Sequence, residues 1–145
     1  MKITIGRIDK ADFPELFLED IDVKIDSGAY TSSIHCENIE EIIKNDVPFI
    51  KFKLLDPEHP LYNNKEFSTK NYKSKTVKSS NGISEKRFLV ETEIKIFNEI
   101  FPIHLTLSER KDMKFPILLG RKFLNKKFVI DTAKKDLSHK IKNKI

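Results

Sequence analysis

Apolar and polar residues alternate along most of this chain with the period of two that turns one face of a strand toward a core. Ile21, Val23 and Ile25 are separated by Asp22 and Lys24, and Ile50, Phe52 and Leu54 by Lys51 and Lys53. Ile94 and Ile96 on one side of Asn98-Glu99, with Ile100, Ile103, Leu105 and Leu107 on the other, predict two strand arms joined by a turn. Asn81-Gly82 stands between Tyr72–Val77 and Arg87–Val90 and predicts a hairpin, because both residue types tolerate positive φ. The stretch from Asp56 to Lys65 reads as loop through Pro57, Pro60 and its Asn pair. Only Asn38–Asn45 and Arg121–Lys127 read as helical. The pattern predicts an all-β domain over residues 1–136 with one or two short helices, followed by a basic extension over 137–145.

At 145 residues, with 39% hydrophobic residues and eleven Phe, the chain has material for one packed core and too much apolar content for disorder. No apolar run reaches bilayer-spanning length, and charges at Lys2, Arg7, Asp9 and Lys10 interrupt any signal-like stretch. Cys36 is the sole cysteine, which excludes an intrachain disulfide and suits a reducing cytoplasm. The net charge of +5 is unevenly placed. Residues 121–145 hold nine basic and two acidic side chains, +7, which leaves −2 for residues 1–120. The tail lysines carry no interleaved aromatics for base stacking, so a solvated tail is the reading preferred over a nucleic-acid footprint.

Candidate chemistry centres on Asp26. A strand that alternates through Val23 and Ile25, then presents a lone Asp followed by Ser27, Gly28 and Ala29, places a carboxylate at a turn on a strand end. Gly28 permits a tight turn, and Ser27 supplies a hydroxyl that could fix the carboxylate. About ninety residues later, Phe115-Pro-Ile-Leu-Leu-Gly120-Arg121 is an apolar run ending in Gly, preceded by the Asn81-Gly82 hairpin.

An Asp-Ser-Gly-Ala turn, a later hairpin and an apolar-apolar-Gly-Arg segment, in that order, resemble the retropepsin-like aspartic peptidases. The match is closer to the bacterial group labelled ATP-dependent zinc protease, which is associated with RimK-type ATP-grasp glutamate ligases. It runs from Gly6-Arg7 through Lys24–Ser32, Val77–Gly82, Arg87 and Leu107–Met113 to Leu118–Arg121. Ser27 stands where the family more often has Thr, and Lys75 and Lys78 stand where Arg is expected, which keeps the charge but not the planar fork. The resemblance implies a closed β-barrel with a flap hairpin, one half of a symmetric homodimer, and no cofactor. It implies that Asp26, Ser27 and Gly28 form the catalytic loop, and that Ala29, Lys78, Asn81, Gly82, Arg87 and Arg110 contact substrate. A two-fold axis would supply the second carboxylate that one Asp26 lacks, and the pair would share a proton and activate water. The ligase association implies a glutamate-rich substrate, poly-α-glutamate, whose carboxylates suit guanidinium forks. It also allows a non-catalytic adaptor for such a ligase.

Metal chemistry is a rival reading. His35-Cys36, with His59, His104 and His139, could in principle hold zinc, but the spacing fits no standard zinc pattern and no His-Glu-x-x-His occurs. Cys36 reads as a small buried apolar residue, and His104 as a surface residue of a strand. No Gly-x-x-x-x-Gly-Lys-Ser/Thr loop is present for ATP.

Overall fold

The computed structural model describes residues 2–55, 57–62, 64–78, 81–109 and 114–142. Its strands are β1 (Ile3–Ile5), β2 (Ile8–Phe13), β3 (Leu18–Ile25), β4 (Ser32–Lys44), β5 (Val47–Leu54), β6 (Glu66–Thr69), β7 (Tyr72–Lys78), β8 (Ser84–Ile96), β9 (Glu99–Ser108), β10 (Ile117–Leu119) and β11 (Phe128–Ile130). Two short helices follow β10 and β11: α1 (Arg121–Leu124) and α2 (Leu137–Lys142).

Six strands close on themselves in the order β10-β3-β2-β8-β9-β4, with β4 returning to β10. Closure removes the unpaired edges that an open sheet would expose. The alternation read from sequence is the barrel's inside: Ile21 and Val23 of β3, Ile94 and Ile96 of β8, and Ile103, Leu105 and Leu107 of β9 are all buried. Ile50, Phe52 and Leu54 of β5 are buried as well. Ile100 falls on the outer face opposite Lys95 and is exposed.

Both hairpins form, each with a turn that differs from the one expected. β8 and β9 pair from Ile96↔Glu99, so the two-residue turn is Phe97-Asn98, both at positive φ, one residue before Asn98-Glu99. β7 and β8 pair down to Lys78↔Ser84; beyond that pairing Gly82 takes the left-handed conformation at φ 85° and Asn81 does not, and residues 79–80 lie outside the described residues. The Asn-Gly pair therefore sits within a longer loop and is not a two-residue turn.

Asn38–Asn45 is not a helix. Residues 38–44 lie within β4, which bulges between Glu37 and Glu40 and then pairs with β5 as far as Lys44↔Val47, and Asn45 falls in the turn that follows. Ile39, Ile42 and Ile43 mimic a helical stripe, but Asn38 at φ 54° is at the bulge, and β5 claims the backbone hydrogen bonds beyond it. Arg121–Lys127 does begin as a helix, which ends at Leu124.

The segment from Leu137 differs from the solvated extension expected of it. Through Lys142 it is α2, held to β2 by a buried carboxylate. Asp9, fully buried, accepts hydrogen bonds from the N–H groups of Lys10 (2.8 Å), Ser138 (2.9 Å) and His139 (3.1 Å). Burial holds the Asp9 pKa above its ordinary value, against the lowering pull of those three donors. Ser138 Oγ accepts from the Phe97 N–H at 2.7 Å, and Lys142 Nζ lies 2.9 Å from both Asp12 and Asp20 carboxylates. Residues 143–145 lie outside the described residues.

The Asp9 carboxylate organises both the start of α2 and its docking, so Asp9→Ala strands buried donors. We expect a loss of about 2 kcal/mol of stability, read by urea unfolding, with α2 amides losing NMR protection first.

Candidate active site

Asp26 is placed by backbone bonds on three sides. β10 runs parallel to β3 with Leu119 opposite Ile25, and the Asp26 N–H donates to the Leu119 carbonyl at 2.9 Å. From below, the Ile25 N–H donates to Arg7 O at 3.0 Å, and the Arg7 N–H donates to Lys134 O at 2.8 Å. The Asp26 carboxylate turns back to accept the Gly28 N–H at 3.0 Å, while Asp26 O accepts from the Ala29 N–H at 3.2 Å. Gly28 is not left-handed. A Cβ there would lie 3.3 Å from the Asp26 Oδ1, so the small residue leaves the carboxylate room rather than relieving φ.

The loop is fastened at its far end by the Gly120-Arg121 pair. The Arg121 guanidinium donates to Ser27 O at 2.8 Å and stands 5.8 Å from the centre of the Tyr30 ring. The backbone N–H groups of Arg121 and Lys122 donate to Ala29 O and Tyr30 O, each at 2.9 Å. Gly120 N–H donates to the buried Ser32 hydroxyl at 3.0 Å. A Cβ on Gly120 would sit 2.6 Å from Thr31 O, inside any real contact. Arg121 is thus a positioning residue for the loop. In the sequence its signal is the Gly-Arg step after an apolar run.

Asp26, half-buried, opens onto a cleft of about 710 Å3. Ala29, Thr31 and Ser33 line it from the loop side, Glu85, Lys86, Arg87 and Phe88 from the β7–β8 hairpin, and Thr106 to Glu109 from the end of β9. The structure therefore brings together Asp26, Ala29 and Arg87. Ser27 and Gly28 are exposed on the loop, and Lys78, Asn81 and Gly82 are exposed toward the hairpin tip and are not among the residues that line the cleft. Arg110 lies outside the described residues. Thr31, Ser33 and Lys86 were not singled out from sequence, since polar residues on strand ends carry no motif.

The cleft's described charges nearly cancel. Arg87 faces Glu85 at 3.6 Å, an exposed pair of small energetic weight. Lys86 is held more firmly, 2.9 Å from Glu41 on β4. The same carboxylate accepts from the Tyr72 hydroxyl at 2.5 Å, so Glu41 grips both strands of the hairpin. The Tyr72 bond, with Lys86 adding, holds the Glu41 pKa below its ordinary value; Glu41 in turn pushes the Tyr72 hydroxyl up to about 12.

The metal candidates are separated. His35 and Cys36 are buried within β4, and desolvation pushes the Cys36 thiol well above its ordinary range, which makes it no nucleophile. His104 is a half-exposed residue of β9, between buried Ile103 and Leu105, and its Nε2 faces Glu91 at 3.2 Å. Among the described residues no three of His, Cys, Asp and Glu converge as a metal site requires.

Two outcomes follow from these contacts. Gly120→Ala should cost roughly 1–3 kcal/mol in thermal or urea unfolding and shift the amide resonances of Tyr30 and Thr31, because rigid backbone blocks the added methyl. A depressed carboxylate pKa stabilises above the ordinary value and loses that contribution as pH falls through the lowered one. The Tyr72 ring resonances should therefore move on acidification below the ordinary Glu value of 4.5, and Glu41→Gln should abolish that step.

Comparison with known proteins places these features. A family model described as RimB-like, retropepsin-like aspartic endopeptidase RimB, matches residues 4–141. A probable alpha-L-glutamate ligase of Shewanella pealeana is 34% identical over 136 residues, covering 91% of this chain and 29% of the relative. One from Desulfotalea psychrophila is 35% identical over 91% of this chain and 28% of the relative. The chain thus spans under a third of the length of these curated relatives. The crystal structure of Lpg0085, a Legionella pneumophila protein of unknown function (DUF785), superposes with a TM-score of 0.70 at 25% identity, covering 95% of this chain and 99% of that one. With a closed six-stranded barrel, an Asp-Ser-Gly-Ala loop at the end of β3, and a family match across nearly its whole length, the chain belongs to the RimB-like family of retropepsin-like proteins.

Proposed function

We propose that this chain is an aspartic peptidase that hydrolyses peptide bonds with water activated by two Asp26 carboxylates, one from each subunit of a homodimer. The observation that carries this reading is the position of Asp26. It is fixed by backbone hydrogen bonds at a strand end, and it opens onto a cleft large enough for several peptide residues. One carboxylate cannot serve at once as base toward water and acid toward the scissile carbonyl. A two-fold pair that shares a proton can do both. The β7–β8 hairpin, which lines the cleft opposite Asp26, acts as the flap that covers the substrate.

Poly-α-glutamate or a glutamate-rich peptide is the proposed substrate, with Arg87 and Arg110 receiving side-chain carboxylates and Lys78 attracting them at the flap. Arg87 can exchange its exposed partner Glu85 for a substrate carboxylate at little cost. The names of the curated relatives favour a second reading, a non-catalytic module that serves a glutamate ligase.

Incubation with oligo-α-glutamate and with a neutral peptide of equal length, read by mass spectrometry, separates the two. The peptidase reading expects cleavage of the acidic peptide, lost by ~10^2-fold or more in Asp26→Asn without change of fold or of dimer mass by light scattering. Arg87→Ala should raise KM for the acidic peptide more than for the neutral one, and added salt should do the same. Unchanged turnover in Asp26→Asn overturns the mechanism. Absence of cleavage by the wild-type dimer leaves the ligase module.

A further inference from the structure

A second hollow lies across the Thr31–Ser32 segment from the cleft, between α1 and β9. Its volume is about 150 Å3, and Thr31 is the one residue that lines both spaces. Ile103 and Phe123, both nearly fully buried, form its inner wall with Leu89, while Lys122 is exposed at its edge with Lys127 and His104. Among the described residues no Asp or Glu lines it.

The two lysines set its chemistry. Neither pairs with a carboxylate among the described residues. Lys122 Nζ lies 3.3 Å from His104 Nδ1, and since an ammonium has only donors, the ring nitrogen is the acceptor. Glu91 on the opposite ring nitrogen, at 3.2 Å, matches that tautomer. Lys127 Nζ donates to Phe123 O at 3.0 Å and stands 5.1 Å from the Phe123 ring centre. Each ammonium keeps donors to spare beside an apolar wall.

We propose that this hollow is a binding site for a small organic monocarboxylate, its apolar body against Ile103, Phe123 and Leu89 and its carboxylate between the ammonium groups of Lys122 and Lys127. An apolar cavity of roughly 150 Å3 holds a benzene-sized body. The charge-assisted bonds at the edge discriminate the carboxylate from its neutral isostere. Occupancy reaches the active-site loop through backbone. The Lys122 N–H donates to Tyr30 O, and Gly120 N–H to Ser32 Oγ, so the ligand touches the same segment that carries Ala29 and Thr31 into the cleft.

Benzoate and benzamide, titrated into the 15N-labelled full chain, test this independently of peptidase activity. Benzoate should shift the amides of Thr31, Ser32, Leu89 and Phe123 saturably, and benzamide should bind about tenfold more weakly. Lys122→Gln and Lys127→Gln should each weaken benzoate severalfold and leave benzamide unchanged, with Lys122→Arg retaining affinity. The proposal fails if benzoate and benzamide bind alike, if the shifts centre on Arg87 in the cleft, if both Gln variants bind benzoate normally, or if no saturable shift appears up to on the order of 10 mM.

Discussion

Three residues of β10 close the sheet, and the active-site loop depends on that closure. Ile117, Leu118 and Leu119 pair in parallel with β3, and the first two pair antiparallel with β4 on the other side. Ile117 and Leu119 are fully buried, whereas Leu118, alternating outward, reaches the cleft. The same short strand therefore anchors the core, receives the Asp26 N–H, and delivers Gly120 against Thr31 O, where only a hydrogen fits. Without β10 the barrel would have two open edges and Asp26 would lose its support.

A second line of support comes from both ends of the chain. Lys134 O holds Arg7 N–H, and Arg7 O holds the Ile25 N–H directly before Asp26. A Cβ on Gly6 would lie 2.2 Å from Lys134 O, so this approach also depends on glycine. The C-terminal segment stays in place because α2 is tied to Asp9 and because the Phe123 and Phe128 rings pack with their centres 5.7 Å apart, with Phe101 and Phe97 beside them. Such aromatic pairs contribute roughly 0.5–1.5 kcal/mol each beyond their buried area. The residues beneath the carboxylate are thus among the most sequence-distant in the molecule.

The cations that line the cleft are paired with neighbouring carboxylates rather than left in excess. Lys86 answers to Glu41 and Arg87 to Glu85, while Lys122 and Lys127 at the second hollow pair with no carboxylate among the described residues. Basic residues counted along the chain do not reveal this arrangement, because the tail's excess is partly neutralised where Lys142 meets Asp12 and Asp20.

Alternation at Ile21–Ile25, Ile50–Leu54 and Ile94–Leu107 determined the strands and their inner faces, because side chains on a strand point to opposite sides whatever the strand pairs with. The Asp-Ser-Gly-Ala step marked the candidate carboxylate, since its residue types and order sit within one short segment. Tertiary structure alone decided the rest. Ser32–Lys44 became one bulged strand over its helical-looking isoleucines because β5 supplied backbone partners. Leu137–Lys142 became a docked helix because a carboxylate 129 residues away accepts its Ser138 N–H. Arg121, Thr31 and Lys86 came to the site through strand pairing, and no local pattern encodes a contact whose partners lie tens of residues apart.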